Sequence, residues 1–66
     1  MSKVYQYAEV VGTSPDGYRE AIASAIEKCR SKFPNMRCFE EVEQRGYISD
    51  DGVAWYQVTL KIGYSE

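Results

Sequence analysis

The most regular hydrophobic pattern in the chain runs from Val53 to Tyr64. Alternation of apolar residues with a period of two puts their side chains on one face of an extended chain, so this segment predicts a β-strand. The alternating apolar positions are Tyr56, Val58, Leu60, Ile62 and Tyr64, and the positions between them are Trp55, Gln57, Thr59, Lys61 and Gly63. This second set is not apolar enough to form a protein core and not polar enough for an ordinary solvent-exposed face. It is therefore the first candidate for a functional surface.

A second alternating segment, from Val4 to Val11, carries apolar groups on both of its faces. Such a segment predicts a strand whose two sides both contact protein. Gly12 is expected to end it. The next four residues, T-S-P-D at positions 13–16, are typical of a helix start, with a capping hydroxyl, a proline at the first helical position and a carboxylate in the first turn, where the helix dipole favours it.

A helical pattern follows this start signal. Its apolar positions recur at spacings of three and four, as expected for an amphipathic helix of about twenty residues. Pro34 and Asn35 would end the helix, and Cys29 is expected to be a small buried apolar residue. The predicted buried stripe is Tyr18, Ala21, Ile22, Ala25, Ile26, Cys29 and Phe33.

The segment from Arg37 to Ile48 is compatible with either a helix or a strand. A strand is favoured because Gly46 lies inside it and because S-D-D-G, at positions 49–52, supplies hairpin residues before the last strand. If Ile48 faces Val53, the antiparallel register pairs Gly46 with Trp55, Gln44 with Gln57 and Cys38 with Gly63. Trp55 would then cover the backbone of Gly46.

These elements predict an α+β fold with the order β-α-β-β, in a single domain of residues 1–66. One helix can cover only one face of a three-stranded sheet. A chain this short also has a small core, because burial barely exceeds the entropy cost of ordering it. The uncovered face is therefore expected to pack against another copy of the chain, or against a flat ligand held between copies.

Composition narrows the function classes. The net charge of −2 and the isoelectric point near 5.1 argue against nucleic-acid binding. With only two cysteines and no histidine, the chain lacks the ligands of a usual zinc site. It also lacks the side chain that most often acts as a general base near neutral pH. An enzyme with Cys38 as nucleophile is disfavoured for the same reason. With no apolar run of about 20 residues and no signal-like segment, we expect a reduced, cytoplasmic protein.

Four separated blocks of the sequence resemble the dodecin family. They are V-Y near the N-terminus, V-G-T-S before the helix, E-Q-R-G in the third segment, and G-V-x-x-Y-Q-V-T-L-K-I-G-Y at the end. The resemblance implies a β-α-β-β subunit whose three-stranded antiparallel sheet curls around its helix, and a hollow shell of twelve subunits. It also implies binding of flavins, riboflavin or FMN, as stacked pairs between subunits, for storage or sequestration and without catalysis.

The resemblance also assigns roles to three residues of this chain. The glutamine that contacts the isoalloxazine falls on Gln57, and the arginine near the ligand or subunit contacts falls on Arg45. The position of the stacking tryptophan falls on Cys38, which cannot stack. Trp55 is a candidate replacement for that ring, although covering Gly46 or contacting another subunit is its simpler role.

Two alternatives to flavin binding remain open at this level. The same shell could hold a different small molecule, or a divalent cation bound by carboxylate oxygens. The acidic residues that could contribute are Glu40, Glu41, Glu43, Asp50 and Asp51. A solvated charged face explains these carboxylates equally well.

Overall fold

The computed structural model describes residues 5–33 and 35–65, and it has the element order β-α-β-β. All strand pairs are antiparallel, and β3 lies in the middle of a three-stranded sheet with the order β1-β3-β2. The α+β class predicted from the sequence is thereby confirmed. The elements are β1 (Tyr5–Ser14), α1 (Tyr18–Cys29), β2 (Met36–Ser49) and β3 (Gly52–Ser65).

The first strand does not end at Gly12, contrary to the prediction from the sequence. Gly12 is buried inside β1, where a Cβ atom would lie 2.5 Å from the Ala21 carbonyl oxygen and 2.6 Å from the Ala25 Cβ. Glycine is needed here because the helix backbone approaches the strand closely, a role that a local sequence pattern does not distinguish from strand breaking.

The helix is shorter than predicted, with 12 residues, and it begins at Tyr18 after Gly17 as the cap residue. Ser14, the predicted capping hydroxyl, instead accepts a hydrogen bond of 3.0 Å from the backbone N–H of Asp16, in the turn before the helix. Such a local bond satisfies the turn and delays the helix. Pro34, the predicted stop, lies outside the described residues.

The predicted apolar stripe of α1 does face the sheet. Ala21, Ala25 and Cys29 are buried, and the small alanines allow the helix to lie close to the strands. They pack on the predicted core face of β3, whose central residues are almost fully buried. The core cluster comprises Ala21, Ala25, Val58, Leu60 and Ile62.

The hairpin of β2 and β3 contains irregularities that change the predicted register. Ile48 faces Val53 and Cys38 faces Gly63, as predicted. Between them the pairing is displaced by one residue, so Gly46 lies opposite Tyr56 and the predicted pairing of Gly46 with Trp55 is wrong. Trp55 therefore does not cover Gly46.

Two bulges explain this displacement. An extra residue at Ala54 on β3 shifts the register just after the turn, and an extra residue at Val42 on β2 restores it. The predicted pair of Gln44 and Gln57 is wrong for the same reason, because Gln44 lies opposite Val58 and Arg45 lies opposite Gln57.

The subunit is more extended than a compact chain of this length. Its radius of gyration is 13.7 Å, and its principal extents are 53 × 20 × 13 Å, whereas a compact domain of this size would have a radius of about 11 Å. The helix packs mainly on β1 and β3. Large apolar side chains on the hairpin stay exposed, including Ile48 at 88% and Phe39 at 49%.

Candidate ligand-binding site

The face of the sheet that points away from α1 is here named the outer face. Its members follow from the strand register, because side chains alternate between the two faces and Val58, Leu60 and Ile62 point toward the helix. The outer face consists of Tyr7, Glu9, Val11 and Thr13 on β1, Trp55, Gln57, Thr59, Lys61 and Gly63 on β3, and Cys38, Glu40, Glu43, Arg45 and Tyr47 on β2.

Arg45 and Gln57 lie directly opposite each other on the outer face. The structure thus brings together two of the three residues selected from the sequence. This proximity depends on the bulge at Ala54, because a shift of one residue exchanges the two faces of a strand. In the register predicted from the sequence, Arg45 would have faced Tyr56 on the helix side.

Tyr47 joins this pair and was missed by the sequence analysis. Its hydroxyl donates a hydrogen bond to the Gln57 Oε1 at 3.3 Å, and it lies across from Trp55 in the register. Trp55 is 50% exposed on the same face. The local cluster of Arg45, Tyr47, Trp55 and Gln57, which we call the Gln57 cluster, therefore combines two aromatic rings, an amide and a guanidinium.

The charge in the Gln57 cluster comes from Arg45. Its Nη2 donates to the Glu43 Oε2 at 3.0 Å, and both side chains are about half exposed. The pKa of the Arg45 guanidinium is raised, first by the hydrogen bond and charge of Glu43 and then by the Tyr47 hydroxyl. Arg45 is therefore a permanent positive charge beside Gln57, restrained but accessible.

Cys38, the third residue selected from the sequence, lies elsewhere on the outer face. It is exposed and sits opposite Gly63, six positions along β3 from Gln57, which corresponds to roughly 20 Å of strand. Its Sγ occupies the space beside Gly63, where a Cβ would lie only 2.6 Å from it. One subunit alone does not bring Cys38 to the Gln57 cluster.

A pocket of about 180 Å³ adjoins Cys38, with Arg37 and Phe39 among its lining residues. This volume is below the roughly 300 Å³ at which small-molecule sites usually begin. A three-ring ligand would need walls from a second subunit.

The carboxylates considered as cation ligands do not converge in the described part of the chain. Within residues 5–33 and 35–65, no group of three or more histidine, cysteine or acidic residues could hold a metal ion. Glu41 instead accepts a hydrogen bond from Gln44, and Glu43 pairs with Arg45. In that same part of the chain, no helix is long and apolar enough to cross a membrane.

Comparison with known proteins gives consistent matches over nearly the whole chain. The family model described as Dodecin matches residues 4–66. A dodecin from Thermus thermophilus is 42% identical over 64 residues, which covers 97% of this chain and 93% of that protein. A solved Thermus thermophilus structure superposes with a TM-score of 0.93 at 40% identity, covering 98% of this chain and 96% of the other.

Two further relatives extend the comparison. The dodecin from Streptomyces davaonensis superposes with a TM-score of 0.93 at 36% identity, covering all of this chain and 97% of its own. The calcium dodecin of Mycobacterium tuberculosis, described as calcium chelating, is 26% identical over 92% of this chain and 86% of its own length. Its structure superposes with a TM-score of 0.82. The matched family model, the sequence identity and the shared β-α-β-β fold together establish that this chain belongs to the dodecin family.

Proposed function

We propose that this protein binds a flavin, riboflavin or FMN, and stores or sequesters it inside a hollow homododecamer without catalysing a reaction. The observation that carries the proposal is the Gln57 cluster, in which an amide and a guanidinium lie beside an exposed tryptophan on an uncovered sheet face. The free thiols of Cys29 and Cys38 agree with a reducing, cytoplasmic setting.

The residues of the Gln57 cluster suit the chemistry of an isoalloxazine. That ring system is flat and has a polar edge with both donors and acceptors, and the Gln57 amide can meet it with either kind of group. Stacking of a flat ring on an aromatic side chain contributes roughly 1 to 3 kcal/mol. Trp55, on the same face two positions from Gln57, can provide such a ring where Cys38 cannot.

Assembly is part of the proposal because the site residues of one subunit are far apart. Cys38 and Gln57 lie about 20 Å apart along β3, so they can line one pocket only if they come from different copies. The extended shape and the exposed apolar side chains of the hairpin favour self-association as well.

The alternative is a shell of the same architecture that binds another small molecule or a cation. The calcium dodecin of Mycobacterium tuberculosis supports the cation version, but it is the more distant relative, at 26% identity against 42%. A cation site in this protein would have to draw its ligands from more than one subunit, because the carboxylates of the described residues do not converge.

Titration of riboflavin and of FMN, followed by quenching of flavin fluorescence, tests the flavin proposal. Gln57→Ala should weaken binding about three- to tenfold, the effect of losing one or two ligand hydrogen bonds. The assembled mass should not change, because Gln57 is only partly buried and lies away from the core cluster.

Gln44→Ala is the matched control. Gln44 undergoes the same chemical change on the same hairpin, but it lies opposite Val58 on the helix-side face. It should leave flavin affinity unchanged. Equal losses in both variants, or a wild type that binds calcium and no flavin, would contradict the proposal.

A further inference from the structure

A line of polar contacts crosses the hairpin on the outer face. The Glu43 carboxylate accepts from the Arg45 guanidinium at 3.0 Å, and the Tyr47 hydroxyl donates to the Gln57 Oε1 at 3.3 Å. Arg45 and Tyr47 lie on the same face of β2, opposite Gln57 and Trp55, so the two contacts are neighbours. The second contact ends on the Gln57 amide, the group that is proposed to meet the ligand.

The direction of the bond between Tyr47 and Gln57 fixes the orientation of the Gln57 amide. The Tyr47 hydroxyl donates its single hydrogen to Gln57, where only Oε1 can accept it. The amide is therefore turned with its oxygen toward Tyr47 and with the Nε2 amino group available elsewhere.

We infer that Tyr47 is a positioning residue, which fixes the Gln57 amide so that its Nε2 amino group, a donor, meets an acceptor-bearing edge of the bound ring. This inference rests on the proposed flavin site and adds that Gln57 acts there as a hydrogen-bond donor toward the ligand. Carbonyl and imine groups of an oxidised isoalloxazine supply such acceptors. The 3.3 Å bond is long for a hydroxyl donor, so its contribution is orientation more than folding stability.

Tyr47→Phe removes only the hydroxyl and should lower riboflavin affinity about threefold, within the range for one lost hydrogen bond. Tyr64→Phe is the matched control, because the Tyr64 hydroxyl donates to Gln6 Oε1 at 3.0 Å, away from the Gln57 cluster. The control should bind riboflavin as the wild type does. Equal affinity of Tyr47→Phe and wild type would overturn the inference.

Two further variants separate positioning from a structural role. Tyr47→Phe combined with Gln57→Ala should bind no more weakly than Gln57→Ala alone, because Tyr47 acts through Gln57; additive losses would contradict this. Gln57→Glu keeps an acceptor for Tyr47 but loses the amino group, so it should lose at least as much affinity as Gln57→Ala. Retained affinity in Gln57→Glu would show that the amide acts as an acceptor toward the ligand.

A measurement without ligand keeps the inference separate from the proposed function. In protein labelled with ¹⁵N at glutamine side chains, the Gln57 amide signals should move in Tyr47→Phe and stay in place in Tyr64→Phe. Unmoved signals would refute the contact between Tyr47 and Gln57 whatever the protein binds. A wild type that binds no riboflavin or FMN would refute the proposed function and the ligand polarity, while the signals still decide the contact.

Discussion

At the scale of single residues, Cys38 occupies the position for which the resemblance to dodecins implies a stacking tryptophan. Its side chain is exposed on the outer face and lies against Gly63, which is buried beside Cys38 and the Tyr7 ring. A tryptophan at this exposed position would add an aromatic ring on which a flat ligand can stack.

Cys38→Trp should therefore tighten flavin binding by roughly 1 to 3 kcal/mol, or about five- to a hundredfold. Fluorescence quenching with riboflavin and FMN measures the change. Cys38→Leu is the control, because it adds apolar volume without an aromatic face, and it should give little of this gain.

A Cys38→Trp variant without a gain in flavin affinity would point to a filled site. If Trp55 or neighbouring backbone already fills the space, the larger ring would clash and lower the unfolding temperature without raising affinity. Unchanged or weaker binding by an intact Cys38→Trp shell would show that position 38 no longer lines a flavin pocket.

The sequence predicts some members of the Gln57 cluster and misses others for a physical reason. Gln57 and Trp55 lie on a strand with strict alternation, so their shared face is readable from the sequence. The face on which Tyr47 lies cannot be predicted in this way. The bulge at Ala54 shifts the pairing by one residue and so moves Tyr47 of β2 to the other face of the sheet. Bulges depend on tertiary pairing and leave little trace in a local pattern.

At the scale of elements, the close contact of α1 with β1 depends on Gly12. A Cβ at this position would collide with the Ala21 carbonyl oxygen and the Ala25 side chain, both on rigid helix. Gly12→Ala should thus cost roughly 1 to 3 kcal/mol through overpacking, measured as a shift of the denaturant midpoint for unfolding.

Gly46→Ala provides the comparison for this prediction. A Cβ at Gly46 would make ordinary contacts, 3.5 Å from the Trp55 carbonyl oxygen and 3.5 Å from the Tyr18 hydroxyl. It should change stability much less than Gly12→Ala. A Gly12→Ala variant as stable as the wild type would show that the helix can move away from the strand without penalty.

The elements themselves could be predicted well, and their ends less well. The three- and four-residue spacing in α1 and the two-residue alternation in β3 are repeated often enough to identify type and facing. The start of α1 was misplaced because Ser14 uses its hydroxyl in the preceding turn, where it bonds the Asp16 N–H. A capping residue and a turn residue have the same chemistry, so only the three-dimensional structure separates them.

At the scale of the whole molecule, the single subunit looks incomplete. Its radius of gyration of 13.7 Å exceeds the roughly 11 Å of a compact chain of this length. Exposed aromatic side chains, including Tyr7 at 61% and Trp55 at 50%, lie on a sheet face that α1 does not cover. Burial of this surface between copies gives a physical reason for assembly, and the family gives the expected number of twelve.

The proposed function requires that the assembled shell, and not the isolated subunit, binds flavin. Size-exclusion chromatography with light scattering, recorded at the absorbance of protein and of flavin, tests it in one run on protein mixed with excess riboflavin. We expect one peak with a mass of about twelve subunits that carries the flavin absorbance. A folded monomer of 7.6 kDa, or an intact shell that elutes without flavin, would contradict it.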